Sequence, residues 1–277
     1  MRIDAHQHFW KYNQKDYAWI DYSMQMIKKD FLPQHLIPEL TKEGFEGSIS
    51  VQARQTLQET SWLLELSNSN DFIKGVVGWV DLKSRHVRSD LIHFAEHSKF
   101  VGVRHVVHDE SDDAFMLDKD FLRGISYLSD YNLTYDLLLF PKHLPIASKV
   151  ACMFPEQRFV IDHISKPLIK QKIFESWADD IKEIAGLPNV FCKLSGMVTE
   201  ADWVNWQPED FFPYIDVVVR AFGIDRVMIG SDWPVCLVAG SYSKVMSVVL
   251  KYISKFSDSE QNSILGNNCE RFYLKRD

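Results

Sequence analysis

Eight short runs rich in β-branched residues recur along this 277-residue chain: RIDAH, GSISVQA, GVVGWVDL, VGVRHVV, LTYDLLLF, RFVIDHI, NVFCKLSG and RVMIGSDW. Their length and β-branched content mark them as strands. Most are separated by stretches with helical apolar spacing: Glu59 to Ser67, Ser89 to Ser98, Lys119 to Ser129, Leu144 to Met153, Ile173 to Ala185 and Pro208 to Phe222. Strands that alternate with helices run parallel, and near-continuous apolar content means that both faces are covered. Eight such units, in a chain close to the ~250 residues typical of a closed barrel, predict an α/β protein with a single (β/α)8 TIM-type barrel. No linker or low-complexity stretch divides it, so residues 1–277 are read as one domain. No strand is followed by a Gly-rich phosphate loop; the nearest candidate, the GSDWP turn, lacks the glycine spacing.

A net charge of −7 argues against nucleic acid or an anionic membrane as the main partner. A small-molecule substrate is the expected partner, and a homo-oligomer is compatible with the sequence. No apolar run approaches the ~18 residues of a membrane span, and the first strand begins at Arg2 without a signal peptide before it. Cys152, Cys192, Cys236 and Cys269 are widely spaced without a CxxC, as expected of reduced thiols in a cytoplasmic protein.

In a parallel barrel the active site lies at the carboxyl ends of the strands. The first strand ends with His6 and His8, two positions apart and so on one face. The later ends bring Gln52 and Arg54, Trp79 and Asp81, Arg104 and His105, Asp136, then Asp162 and His163 with Lys166 following, Lys193 and Ser195, and Asp232. Any one of these could be a cap or a salt bridge. Together they describe a catalytic or binding cavity.

The opening HxH, the DHISKP segment around His163 and the IGSDWP segment around Asp232 resemble the amidohydrolase superfamily. More narrowly, the chain is similar to its sugar-lactone hydrolases, of the L-fuconolactonase and L-rhamnonolactonase type. HFWKYNQKDYAWI, FLPQHLIPEL, GVVGWVDL and VGVRHVVHDESDDAFMLDKDF extend the likeness over nearly the whole chain. The resemblance implies a metal set of His6, His8, His163 and Asp232. It also implies a strand-five histidine and a bridging strand-four residue in binuclear members; here Asp136 and Arg104 stand there instead. A binuclear centre is therefore not expected. One divalent ion, zinc by the donor set, and a metal-free centre both fit these residues.

Opening a lactone needs an activated water, donors for the oxyanion and a proton for the departing alkoxide. Asp232 is the expected base, and His163 the group that orients the water or protonates the alkoxide. Arg104 is expected at the oxyanion, with Arg54 and Gln52 on substrate oxygens. Lys193 serves the same end or forms a salt bridge with Asp136. Trp10 and Trp233 are the aromatic walls expected for a sugar, with Trp19, Trp203 and Trp206 as further candidates, and Trp10 to Asp30 is a candidate lid. The favoured reaction is hydrolysis of an aldonic-acid lactone. Alternatives are a lactonase for 2-pyrone-4,6-dicarboxylate or muconolactone, which would use Arg54, Arg104 and Lys193 on carboxylates, a metal-dependent decarboxylase, and an inactive sugar-acid binder.

Overall fold

A computed structural model describes residues 1–275. Its eight parallel strands lie in sequence order: β1 (Ile3–Gln7), β2 (Gly47–Val51), β3 (Ile73–Gly78), β4 (Phe100–His105), β5 (Thr134–Leu137), β6 (Phe159–Ile161), β7 (Val190–Leu194) and β8 (Val227–Ile229). The sheet closes on itself just past the ends of β1 and β8. There Gln7 bridges Trp233 in parallel, His8 N–H donates to the Trp233 carbonyl at 2.6 Å, and Asp232 N–H donates to the His6 carbonyl at 2.8 Å. The hydrogen bonds that shut the barrel are thus made by the residues around His6, His8 and Asp232.

A helix follows each strand: α1 (Pro33–Lys42), α2 (Leu57–Ser69), α3 (Val87–Ala95), α4 (Lys119–Ser126), α5 (Leu144–Met153), α6 (Glu175–Ala185), α7 (Phe212–Phe222) and α8 (Tyr242–Ile253). Several begin on a side-chain cap that supplies an orphan N–H: Thr56 accepts from Glu59 N–H, Asp118 from Asp120 and Phe121, and Ser241 from Lys244. The expected helices are all present; the main difference is that α7 starts at Phe212 because a separate turn at Pro208–Asp210 precedes it.

Two apolar layers hold the barrel. The larger lies between the sheet and its helices. The smaller draws Ile3, Ala5, Ile49, Val51, Val77, Val101, Val160 and Met228 from six strands, which only the barrel interior can bring together. Cys269, Phe272 and Tyr273 of the C-terminal turn join that interior cluster and close the floor. On β5 and β7 the interior instead holds Asp136 and Lys193, both wholly buried. No helix among the described residues is long and apolar enough to cross a membrane.

Candidate active site

The strands end earlier than the apolar runs suggest, so the chemistry sits on the turns just beyond them. β6 stops at Ile161, and Asp162–Ser165 form a turn of unusual backbone. His163, Ile164, Ser165 and Lys166 have φ of 54°, 47°, 61° and 48°, four consecutive left-handed residues with no glycine among them. Each costs about 1–2 kcal/mol, and such residues ordinarily occur singly. Hydrogen bonds from Lys166 N–H to the His163 carbonyl (2.8 Å) and from Trp177 Nε1 to the Ile164 carbonyl (2.8 Å) hold the turn. Asp232, after β8, is left-handed as well (φ 57°). Strained backbone concentrated at two strand ends is typical of functional sites. Gly196, after β7, makes room for the turn: a Cβ there would stand 2.4 Å from His163 Nδ1.

His8, His6 and Asp232 converge on one point. His8 Nδ1 lies 2.8 Å from the Val51 carbonyl, which can only accept, so the proton is on Nδ1 and the Nε2 lone pair faces inward. That Nε2 stands 3.2 Å from Asp232 Oδ1 and 3.2 Å from His6 Nε2, and His6 Nε2 stands 3.8 Å from Asp232 Oδ1. Donors bound to one zinc ion at about 2.0–2.1 Å with tetrahedral angles lie roughly 3.4 Å apart. The three atoms therefore fit a single small cation. His163 stands beside them, with Nε2 3.8 Å from Asp232 Oδ1 and Nδ1 2.9 Å from Ser195 Oγ. Burial holds the His163 and His6 imidazoles neutral, well below their ordinary pKa.

Behind His6 lies a buried charge network. Lys193 Nζ contacts Asp136 Oδ2 at 2.6 Å, Asp162 Oδ1 at 3.0 Å and His6 Nδ1 at 3.2 Å. Burial alone would lower the Lys193 ammonium; Asp136 and Asp162 reverse that and raise it. Burial raises the Asp136 carboxyl to about 6, against the pull of Lys193, and Tyr273 donates its hydroxyl proton to the same carboxylate at 2.8 Å. Arg104 Nη1 reaches Asp162 Oδ2 at 3.1 Å, while its Nη2 donates to the Gln52 carbonyl and, at 3.1 Å, to Gln52 Oε1. Asp136 and Asp162 are buried here against the cations of Lys193 and Arg104. Asp232 has no such cation in contact among the described residues, and with neutral imidazoles beside it a bound metal ion would offset its charge.

A cavity of about 340 Å³ opens above this centre. His8, His163, Asp232, Arg104 and Gln52 line its floor; Trp19, Trp203, Lys166, Glu200, Thr199 and His108 line its walls. Four expected binding residues lie elsewhere. Trp10 is wholly buried under the 11–30 segment, its Nε1 bonded to the Lys29 carbonyl, and Trp233 is packed between Phe9 and Phe31. Each therefore anchors a loop and offers no face to a ligand. Lys193 is sealed below the floor by its two carboxylates, so the salt-bridge alternative is the one realised. Arg54 turns outward to Asp16 at 3.1 Å and over the Tyr17 ring, because Glu59 draws the Ala53 and Arg54 amides toward α2. The 11–30 segment is pinned at its base by the Trp10–Phe31 pair and places Trp19 and Met24 over the mouth.

Sequence reasoning missed His108, Thr199 and Glu200. They stand on short 3-10 turns after β4 and β7, Val107–Asp109 and Met197–Glu200, too brief for periodicity to mark an inward side chain; the one available signal was the cluster of polar residues beyond each strand.

The fold and the convergent imidazole–carboxylate centre define an enzyme of the (β/α)8 hydrolase kind. The sequence pattern of the amidohydrolase family matches residues 3–275, and the chain belongs to that family. A curated L-fucono-1,5-lactonase from Burkholderia multivorans is 38% identical over 284 residues, covering 99% of this chain and 96% of that protein. A crystal structure of a Burkholderia multivorans amidohydrolase with bound zinc superposes with a TM-score of 0.96 at 38% identity, covering 100% of both chains. A second crystal form of that amidohydrolase, with bound HEPES, gives a TM-score of 0.96 at 37% identity, again with 100% of both covered.

Proposed function

We propose that this chain is a lactonase that opens the ring of a neutral sugar-acid lactone, of which L-fucono-1,5-lactone is the first candidate. The observation that carries the substrate class is the state of the cations. A dicarboxylated lactone needs several free positive groups, which Arg54, Arg104, Lys193 or Lys166 would have to supply; Lys166 lines the cavity but is paired with Glu200 at 2.8 Å. Arg54 is outside the cavity on Asp16, Lys193 is below its floor, and both Arg104 Nη atoms already serve Asp162 or Gln52. What remains suits hydroxyl groups and a sugar face: Gln52, Thr199, Glu200 and the indoles of Trp19 and Trp203. The curated lactonase relative supports the same class.

In this reading the Asp232 carboxylate takes the proton from the attacking water, a role worth about 10²–10⁴-fold in rate. His8 Nε2 and His163 Nε2, both within 3.8 Å of its Oδ1, fix where the water lies. Arg104 lines the cavity floor, and its permanent positive charge would stabilise the tetrahedral oxyanion. His6, His8 and Asp232 would hold one zinc ion, which supplies Lewis-acid polarisation of the ring carbonyl when bound.

The test is acid release, followed with a pH indicator, from neutral sugar lactones and from 2-pyrone-4,6-dicarboxylate, each with and without chelator. Turnover of L-fucono-1,5-lactone or a stereoisomer is expected. Release from the dicarboxylate alone would overturn the reading.

A further inference from the structure

The geometry points to Lys166 as the proton donor to the ring oxygen as it leaves. Resting on the lactone-opening reading above, this assigns the half of the reaction that Asp232 does not serve. The left-handed turn that follows β6 presents its first and fourth residues, His163 and Lys166, to one cavity, and both line it. A surface ion pair gains too little to justify four strained residues in a row; delivering two side chains to one reaction centre does. Lys166 Nζ is held at 2.8 Å by Glu200 Oε1 from the segment after β7, and Thr199 Oγ contacts the same oxygen at 3.3 Å. An ammonium has three N–H bonds. Glu200 takes one and sets the direction of the others, and Glu200 itself borders the cavity.

The other proton carriers around the cavity are unsuited. His163 is turned toward Asp232 and Ser195 in the buried centre, and His108 is neutral at physiological pH because burial and Lys166 depress it to about 4. Arg104 keeps its protons at any accessible pH. Lys166 has a side chain 18% exposed, so it can exchange protons with solvent at the mouth.

Water adds to the carbonyl carbon and gives one proton to Asp232. The bond from that carbon to the ring oxygen then breaks, and the ring oxygen takes a proton from the Lys166 ammonium as it becomes a hydroxyl. Lys166 regains a proton from solvent, Asp232 returns one, and the product leaves as a hydroxy-carboxylate.

The experiment is chemical rescue of Lys166→Ala, assayed on the lactone that the wild type turns over. We expect kcat to fall at least about 100-fold, with KM changed far less. Ethylammonium should restore kcat in proportion to its concentration, whereas tetramethylammonium, with the same charge and no proton to give, should not. No recovery with ethylammonium, equal recovery with both ions, or a kcat within tenfold of wild type would overturn the assignment. Should the alanine variant fail to fold, Lys166→Arg decides. That variant keeps the charge without a transferable proton, so a loss of kcat above about 30-fold supports the donor role and a smaller loss removes it. If the wild type opens no lactone at all, it is the function reading that fails.

Discussion

His8 and Asp232, 224 residues apart in sequence, meet at 3.2 Å through Nε2 and Oδ1, with the opposite ring nitrogen of His8 committed to the Val51 carbonyl. With Nδ1 committed to the carbonyl, His8 Nε2 faces the Asp232 carboxylate, an arrangement that suits a cation shared between the two. Asp232→Asn removes both the base and one donor of the pair. It should lower kcat by about 10²–10⁴-fold and leave the melting temperature within a few degrees. Steady-state kinetics alongside thermal melting would show this, and a variant that keeps most of its activity would remove Asp232 as the base.

Metal content follows from the same geometry. His6, His8 and Asp232 can hold one ion, but the neighbouring group of His6, Asp162 and His163 cannot hold a second, because Lys193 and Arg104 already neutralise Asp162 at 3.0 and 3.1 Å. Elemental analysis of purified protein should give at most one zinc per chain. His8→Ala should lose it. Two tightly bound ions would show that the Lys193 network yields to metal.

Arg54 should prove dispensable for the substrate. Its pair with Asp16 is about a third exposed, a setting in which an ion pair contributes at most about 1 kcal/mol. Arg54→Ala is expected to leave KM within about threefold on a neutral lactone, with a melting temperature lower by a few degrees at most. A tenfold rise in KM would bring Arg54 back to the substrate.

Stability should fall as pH rises through neutrality, and Glu59 is one identifiable cause. Burial raises its carboxyl from an ordinary 4.5 to about 7, only partly offset by the Arg54 and Ala53 amides. The folded state thus holds a proton that the unfolded state has released. The contribution is fully present below pH 4.5 and lost as pH climbs through 7, on the order of 3 kcal/mol for such a shift. Glu59→Gln cannot titrate, so its melting temperature should decline less between pH 5 and 8 than that of the wild type. Parallel slopes would exclude the assignment.

The barrel was legible because its signal is repeated: eight apolar runs, each followed by a helix, leave few topologies open. The centre was legible where it rides on that repeat. His6 and His8 end β1, and Asp232 follows β8 at the seam that must meet β1. Side-chain direction was not legible. Arg54 is one residue past the cavity-lining Ala53, and the pull of Glu59 on two amides is enough to send it outward. Trp10 adjoins the HxH strand in sequence, yet it is a buried anchor, because an indole N–H with a carbonyl partner at 2.9 Å is more stable packed than exposed. Lys166 could be placed near His163, but only the left-handed turn shows that the two face one cavity.

Tyr273 reaches from the C-terminal turn to Asp136, which orients Lys193 against His6. His6 and the tyrosine at the other end of this relay stand 267 positions apart in the chain, so the surroundings that set the ionisation of the histidine exist only once the barrel has closed around the C-terminal turn. A single lost hydroxyl at the floor of the barrel would therefore be read at its mouth, through two buried charges that touch no solvent.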